Sequence, residues 1–254
     1  MGVDLDQSIS PPGPVFDGNV VVGRRHNERQ ELSTTDDLLR SMDRCGIERA
    51  LAYHHHAVAF DPNEGNQLLL EMIEDEPRIT PQFAVHLSAE RDVESFANGV
   101  NTAGVRSLRV QPKDHLYPLT PWVIERWAEW LTEQSLAIWV PMDQTDARDI
   151  HDTASAFPHM RFVLVGGHYS HHSVLLPLLR TCSNLYVDLS RYDVPDGVWD
   201  LCQITGSGRL LYGSDWPSLD PAPYIWYLAR CGLSDEECRW ILCGNLCELL
   251  GETL

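Results

Sequence analysis

The sequence predicts a single-domain α/β protein, a (β/α)8 TIM barrel, on three observations. Short β-branched or aromatic runs alternate with amphipathic stretches along the chain, each closed by Gly, Pro or a charge. About eight such runs divide the 254 residues into units of about 32, the length of one strand, one helix and two loops in a parallel barrel; an open doubly wound sheet usually has fewer strands. An apolar share of 43% with 22% charged residues belongs to a globular chain that buries one large core.

The elements follow in order. Residues 1–14, rich in Pro and Gly, read as a loose N-terminal arm, and residues 15–254 as the barrel. The first strand is placed at 19–22. Ser33-Thr34-Thr35-Asp36-Asp37 then supplies an N-cap and first-turn acids for a helix carrying Leu38, Leu39 and Met42, and Gly46 ends it. After a strand at 50–53, Leu68, Leu69, Met72 and Ile73 form a helical stripe stopped by residues 74–77. Strands three and four fall at 82–85 and 105–110. In 121–134, Ile124, Trp127 and Leu131 recur at three- and four-residue spacing, with Glu125, Arg126 and Glu133 left for solvent. Strands five to eight are read at 137–140, 162–165, 185–189 and 210–212, and Ser234 with Glu236 and Glu237 opens a last helix bearing Trp240 and Ile241.

Composition narrows the partners. With 37 acidic and 19 basic residues the formal charge is −18, which repels phosphate backbones and anionic membranes, so a small-molecule substrate is expected, with no nucleic acid and no membrane partner. Seven cysteines without a C-x-x-C pair fit neither a disulfide framework nor a zinc ribbon and point to a reducing cytoplasm. Cys238, Cys243 and Cys247 lie among Trp240, Ile241, Leu242 and Leu246 and read as apolar helical filling. The N-terminus has acids where an export leader needs bases, and no run reaches the roughly 18 apolar residues of a membrane span. Trp122, Trp130 and Trp226 are compatible with a homo-oligomer interface or with helix packing.

In a parallel barrel, chemistry sits at the C-terminal ends of the strands and in the loops that follow. That rule selects residues 19–24, His54–His56, His86 and residues 109–115, 141–143, 166–169, 188–191 and 213–216 for inspection, Asn19, Arg109, Asp143, His168, Asp188, Arg191, Asp215 and Trp216 among them.

Two segments carry a family resemblance. Arg209-Leu210-Leu211-Tyr212-Gly213-Ser214-Asp215-Trp216-Pro217, followed by Ile241-Leu242-Cys243-Gly244-Asn245-Leu246-Cys247-Glu248-Leu249-Leu250-Gly251, resembles the final strand and closing helix of the amidohydrolase superfamily. More narrowly it is similar to the branch containing aminocarboxymuconate-semialdehyde decarboxylase and related small-acid hydrolases. Met42-Asp43-Arg44-Cys45-Gly46-Ile47-Glu48-Arg49-Ala50, Gly65-Asn66 and Gly104-Val105-Arg106 extend the likeness over most of the chain. Members open with D-x-H-x-H-x-G, add His at strands five and six, and end with the strand-eight Asp, together holding a divalent metal. Here the first motif is Asp17-Gly18-Asn19-Val20-Val21-Val22-Gly23, with Asn19 and Val21 in place of the two His. Pro141 and Gly166 fill the strand-five and strand-six places, and Asp215 alone is retained. Val, Pro and Gly have no side-chain donor, so the resemblance implies a barrel with a degraded metal site and no cofactor. A Zn or Mn centre would need His ligands relocated from elsewhere on the rim.

Asp215 admits three roles: acid–base catalyst, lone metal ligand, or a carboxylate that ties down the strand-eight loop. The expectation is catalysis, with His168, two residues past the lost strand-six ligand, as its partner. Arg109 is expected to hold a substrate carboxylate or else to form a salt bridge; Asp188 carries the same ambiguity. His54, Asp143 and Trp216 are expected to line the pocket, Trp216 alternatively capping the barrel. The function read from the sequence is metal-independent acid–base chemistry on a small carboxylate- or carbonyl-bearing molecule, by lactone or amide hydrolysis, decarboxylation or cyclisation. The alternatives are a metal-dependent hydrolase with relocated His ligands and a non-catalytic ligand-binding or scaffold barrel.

Overall fold

The computed structural model describes residues 11–25 and 34–252; most of the expected N-terminal arm, and Ser33 of the first cap, lie outside the described residues. Strands β1 (Phe16–Val22), β2 (Arg49–His54) and β3 (Ile79–Pro81) form one parallel ladder. A second parallel ladder joins β4 (Phe83–Ala84), β5 (Ser107–Arg109), β6 (Ala137–Pro141), β7 (Arg161–Val165), β8 (Leu185–Asp188) and β9 (Leu210–Leu211) in sequence order. β3 and β4 replace the single strand read at 82–85. Pro81 has no N–H for a ladder, and Gln82 bridges the break by donating its N–H to the Ala52 carbonyl at 2.8 Å. At the other edge Gly18 N–H donates to Tyr212 O at 2.9 Å and Asp215 N–H to Asn19 O at 3.0 Å, so the two ladders meet on both sides as the barrel requires.

The helices α1 (Thr35–Cys45), α2 (His55–Ala59), α3 (Pro62–Ile73), α4 (Val93–Thr102), α5 (Pro121–Glu133), α6 (Ala147–Ala156), α7 (His172–Thr181), α8 (Gly197–Thr205) and α9 (Ala222–Leu228) surround the strands. α1 begins as its sequence dictates. Thr34 is the N-cap, its hydroxyl and N–H exchange bonds with Asp37 in a capping box, and Gly46 ends the helix in the left-handed region at φ 69°. The helix expected after Ser234 is broken into α10 (Asp235–Arg239), a π-helical turn at Trp240–Gly244, and α11 (Asn245–Leu250). None of the described helices is long and apolar enough to cross a membrane.

Alternate strand positions separate into two clusters, which is how the fold builds its site. Val20, Val22, Ala50, Ala52, Ile138, Val140, Phe162 and Leu164 pack outward against the helices. Phe16, Leu51, Ala137, Trp139, Val163, Val165 and Leu211 form a separate inner cluster, which Cys243, Leu246, Cys247, Leu249 and Leu250 of the closing segment join. Nearer the strand ends the buried side chains turn polar: Asn19, Gln82, Ser107, Arg109, Asp188 and Ser190.

Candidate active site at the barrel mouth

A cavity of about 410 Å³ opens where the strands end, and Arg109, Asp143, His168 and Asp215 all line it, together with Asn19, Tyr53, Ser190 and Arg191. Several of the residues singled out from sequence, Arg109, Asp143, His168, Arg191 and Asp215 among them, therefore share one cavity.

Arg109, the last residue of β5, is 2% exposed. Its Nε–H donates to Gln82 Oε1 at 2.8 Å and its Nη2–H to Asn19 Oδ1 at 2.6 Å, while its guanidinium carbon lies 4.0 Å from the centre of the Tyr53 ring. Gln82 also donates to Ser107 Oγ at 3.2 Å, and Asn19 to Ser190 Oγ at 3.3 Å, so one buried network runs across the barrel and holds the guanidinium flat. The salt-bridge reading of Arg109 does not hold among the described residues: its hydrogen-bond partners are neutral amide oxygens, and no carboxylate lies within ion-pair distance. A buried cation whose bonds go to neutral acceptors retains most of its capacity for an anion.

Asp215 has a positive φ of 58°, a region where Asp and Asn are tolerated better than other side chains. Its N–H donates to Asn19 O, and its own carbonyl accepts from the N–H of Ser218 at 2.9 Å, which anchors the turn that brings Asp215 to the cavity lining. His168 precedes a short 3-10 turn, Tyr169–His171. Its Nδ1 lies 3.3 Å from Ser170 Oγ, its ring packs 4.0 Å from that of Tyr169, and its backbone N–H donates to His171 Nδ1. Asp143 is the exposed residue of the turn Met142–Gln144, at the cavity's edge.

Three expected lining residues stand off the cavity. His54 ends β2 one residue after Tyr53 and so points to the other face; its Nδ1 accepts from His56 N–H at 3.1 Å, its ring fills the space beside Gly23, and burial holds its pKa low. Trp216 likewise follows inward-facing Asp215 and packs in the outer cluster; its carbonyl accepts from Val21 N–H, the barrel-capping alternative. Asp188 does face inward but lies wholly buried beneath the cavity, where Oδ1 accepts from Ser190 N–H at 3.1 Å and Oδ2 has no partner. Burial raises its pKa to about 6, against the lowering effect of the Ser190 bonds and the Arg109 charge.

Sequence reasoning missed Tyr53, Gln82 and Asp17 as parts of the site, and read Asn19 on the rim only as a lost metal ligand. Asp17 is fully buried and pushed up to about 7 by desolvation; its Oδ1 accepts from Ser214 N–H at 2.8 Å and Asn19 N–H at 3.2 Å, clasping the first strand to the loop that carries Asp215. A register irregularity between Asp17 and Val20 is what turns Asn19 inward.

The cavity's side chains differ from the metal-holding set that the family resemblance implies. Among the described residues no three His, Cys, Asp or Glu side chains converge. Asn19 Oδ1 is engaged by a guanidinium whose charge repels a metal, and Pro141 and Gly166 face the cavity without a donor. Among other rim imidazoles, His86 and His115 stack on each other at 4.7 Å with their planes 7° apart, and His172 Nδ1 lies 2.7 Å from Tyr192 OH.

Parallel strands closed by helices, with titratable and cationic side chains gathered at the strand C-termini, define a barrel enzyme. The chain belongs to the amidohydrolase family, whose sequence profile matches residues 12–251. Solved structures share the fold at low identity. The chain is 14% identical to 2,6-dihydroxybenzoate decarboxylase from Rhizobium, covering 94% of this chain and 98% of that one with a TM-score of 0.75. It is 17% identical to a putative 2-pyrone-4,6-dicarboxylic acid hydrolase from Pseudomonas putida, covering 94% and 98% with a TM-score of 0.73. It is 14% identical to a dihydroxybenzoic acid decarboxylase from Polaromonas with bound manganese and the inhibitor 2-nitroresorcinol, covering 94% and 96% with a TM-score of 0.75. No curated protein sequence matches the chain.

Proposed function

We propose that this protein is a hydrolase or lyase of the amidohydrolase type that binds a small carboxylate-bearing molecule on Arg109 and transforms it by acid–base chemistry, without a resident metal. The observation that carries this reading is the Arg109 guanidinium, buried at the cavity wall, held in plane by Gln82 and Asn19 and carrying no carboxylate partner among the described residues. Its remaining N–H groups suit a bidentate carboxylate, and desolvation strengthens the bond. A carboxylate gripped in this way is stabilised in the ground state, and its loss as neutral CO₂ would carry the negative charge away from Arg109 onto the carbon left behind. The carboxylate on Arg109 is therefore an anchor, and the reacting bond, an ester, amide or second carboxyl, faces Asp215 and His168. Those two supply the proton acceptor and donor that water attack or carbon protonation needs, each worth about 10²–10⁴ in rate. Asp143 and Arg191, which also line the cavity, are proposed to meet the distal end of the molecule. The hydrolase and decarboxylases of the same fold act, by their names, on such acids.

Calorimetric titration of the purified chain with a panel of small carboxylates, 2,6-dihydroxybenzoate and pyrone dicarboxylates among them, tests the binding half. Wild type binds at least one, and Arg109→Gln weakens it on the order of 10–100-fold. Binding indifferent to Arg109 overturns the anchor. For the chemical half, turnover of that ligand class persists after exhaustive chelation and falls at least about 10²-fold in Asp215→Asn, whose side chain accepts the same φ. Activity lost on chelation and restored by zinc or manganese overturns the metal-free mechanism.

A further inference from the structure

We infer that Cys243 and Cys247 form a redox-active dithiol at the closed end of the barrel, in which a hydroperoxide oxidises Cys247 and Cys243 resolves the product to a disulfide. The two sulfurs stand 3.7 Å apart in hydrogen-bond contact, and all seven cysteines of the chain are free thiols. No other two cysteines among the described residues bond each other. Both side chains belong to the segment that plugs the inner cluster opposite the cavity, far along the barrel axis from Arg109.

Three features set this pair apart from buried filling. A crevice of about 360 Å³, walled by Trp240, Gly244, Glu248 and Glu252, has Cys247 in its lining, and both cysteines are nearly buried, Cys243 7% and Cys247 4% exposed. The hydrogen bond between them lowers the pKa of Cys247, against burial and the Glu252 charge, and with burial pushes Cys243 up; the Arg49 guanidinium favours the thiolate at either sulfur. The pair also straddles the junction of a π-helical turn with α11, a helix distortion of the kind found frequently at functional sites.

The chemistry balances with a hydroperoxide as oxidant. The Cys247 thiolate attacks one peroxide oxygen; an S–O bond forms, the O–O bond breaks, and the other oxygen leaves with a proton as an alcohol or water, giving a sulfenic acid. Cys243 then attacks that sulfur; the S–S bond forms, the S–O bond breaks, and hydroxide leaves with the Cys243 proton as water. A small-molecule dithiol reverses the change.

The test is peroxide treatment of the intact chain, followed by alkylation of remaining thiols and peptide mass mapping. Expected is loss of two alkylatable thiols, both in the peptide spanning 243–247, with a mass lower by two hydrogens and recovery on dithiothreitol. Cys243→Ser stops at a sulfenic acid on Cys247, trapped by dimedone; Cys247→Ser leaves Cys243 alkylatable. Oxidation that falls first on Cys231, Cys182 or another thiol, with the 243–247 peptide still fully alkylated in folded wild type, overturns the inference. The wild-type mapping decides this even where a variant fails to fold, and it is independent of substrate turnover.

Discussion

At the scale of single residues, the site is governed by which way each side chain faces and what already occupies its polar atoms. At Arg109 planarity matters as well as charge. A lysine at that position would keep the cation yet could not engage Gln82 and Asn19 in one plane, so Arg109→Lys is expected to lose nearly as much carboxylate affinity as Arg109→Gln, measured by the same titration. A lysine that restores binding would reduce the site to simple charge attraction. Gly213 is equally constrained: a Cβ there would overlap Asp188 Oδ2 and crowd Asn19, so Gly213→Ala is expected to lower both thermal stability and ligand affinity, read by calorimetry and titration together. Much of this is legible in the sequence. Period-two alternation separates Tyr53 from His54 and Asp215 from Trp216, and that spacing alone removes two of the expected lining residues from the pocket. What no spacing rule conveys is Asn19: read as a missing metal ligand, it is instead the acceptor that fixes a guanidinium, and only the approach of a residue 90 positions away reveals it.

At the scale of elements, punctuation was the most readable signal. The capping box at Thr34 and the left-handed Gly46 bound α1 where the sequence places it, and Ser234 with Glu237 starts α10 in the same way. Thr34→Ala is expected to cost about 1 kcal/mol, a fall of about 2–4 °C in Tm, with ligand binding unchanged because α1 contributes no residue to the cavity. The elements that differ from expectation do so for tertiary reasons. The third strand breaks at Pro81, and the closing helix widens into a π turn where the Trp240 ring lies over Gly244 so closely that no Cβ would fit. Propensity windows see neither the ladder partner nor the ring. Close packing also explains Gly65 of α3, whose Cβ would strike the Ala57 backbone of α2; Gly65→Ala is expected to destabilise by at least about 1–3 kcal/mol in urea unfolding, while the same change at Gly99, which meets nothing, is nearly silent.

At the scale of the whole molecule, the barrel closes through a polar seam. Asp17 on β1 accepts from Ser214 N–H, next to Asp215, and Asp188 stands close enough for the two acids to repel. Both are buried, and both titrate above their usual value of 3.8, Asp17 near 7 and Asp188 near 6, because desolvation disfavours the charged forms. The folded chain therefore binds more protons than the unfolded chain between about pH 4 and 7. Stability is greatest at the acid side of that window, declines as pH rises through 6 and 7, and levels off above. Asp17 alone accounts for a decline on the order of 3–4 kcal/mol. Asp17→Asn keeps an oxygen for the Ser214 and Asn19 N–H groups while removing the ionisation, so urea unfolding at pH 5 and pH 8 should show a smaller drop in the variant than in wild type, with the gain confined to the higher pH. A variant that tracks wild type at both values would place the ionisation elsewhere. The same seam ties stability to chemistry, since the loop that Asp17 steadies also carries Asp215 into the cavity.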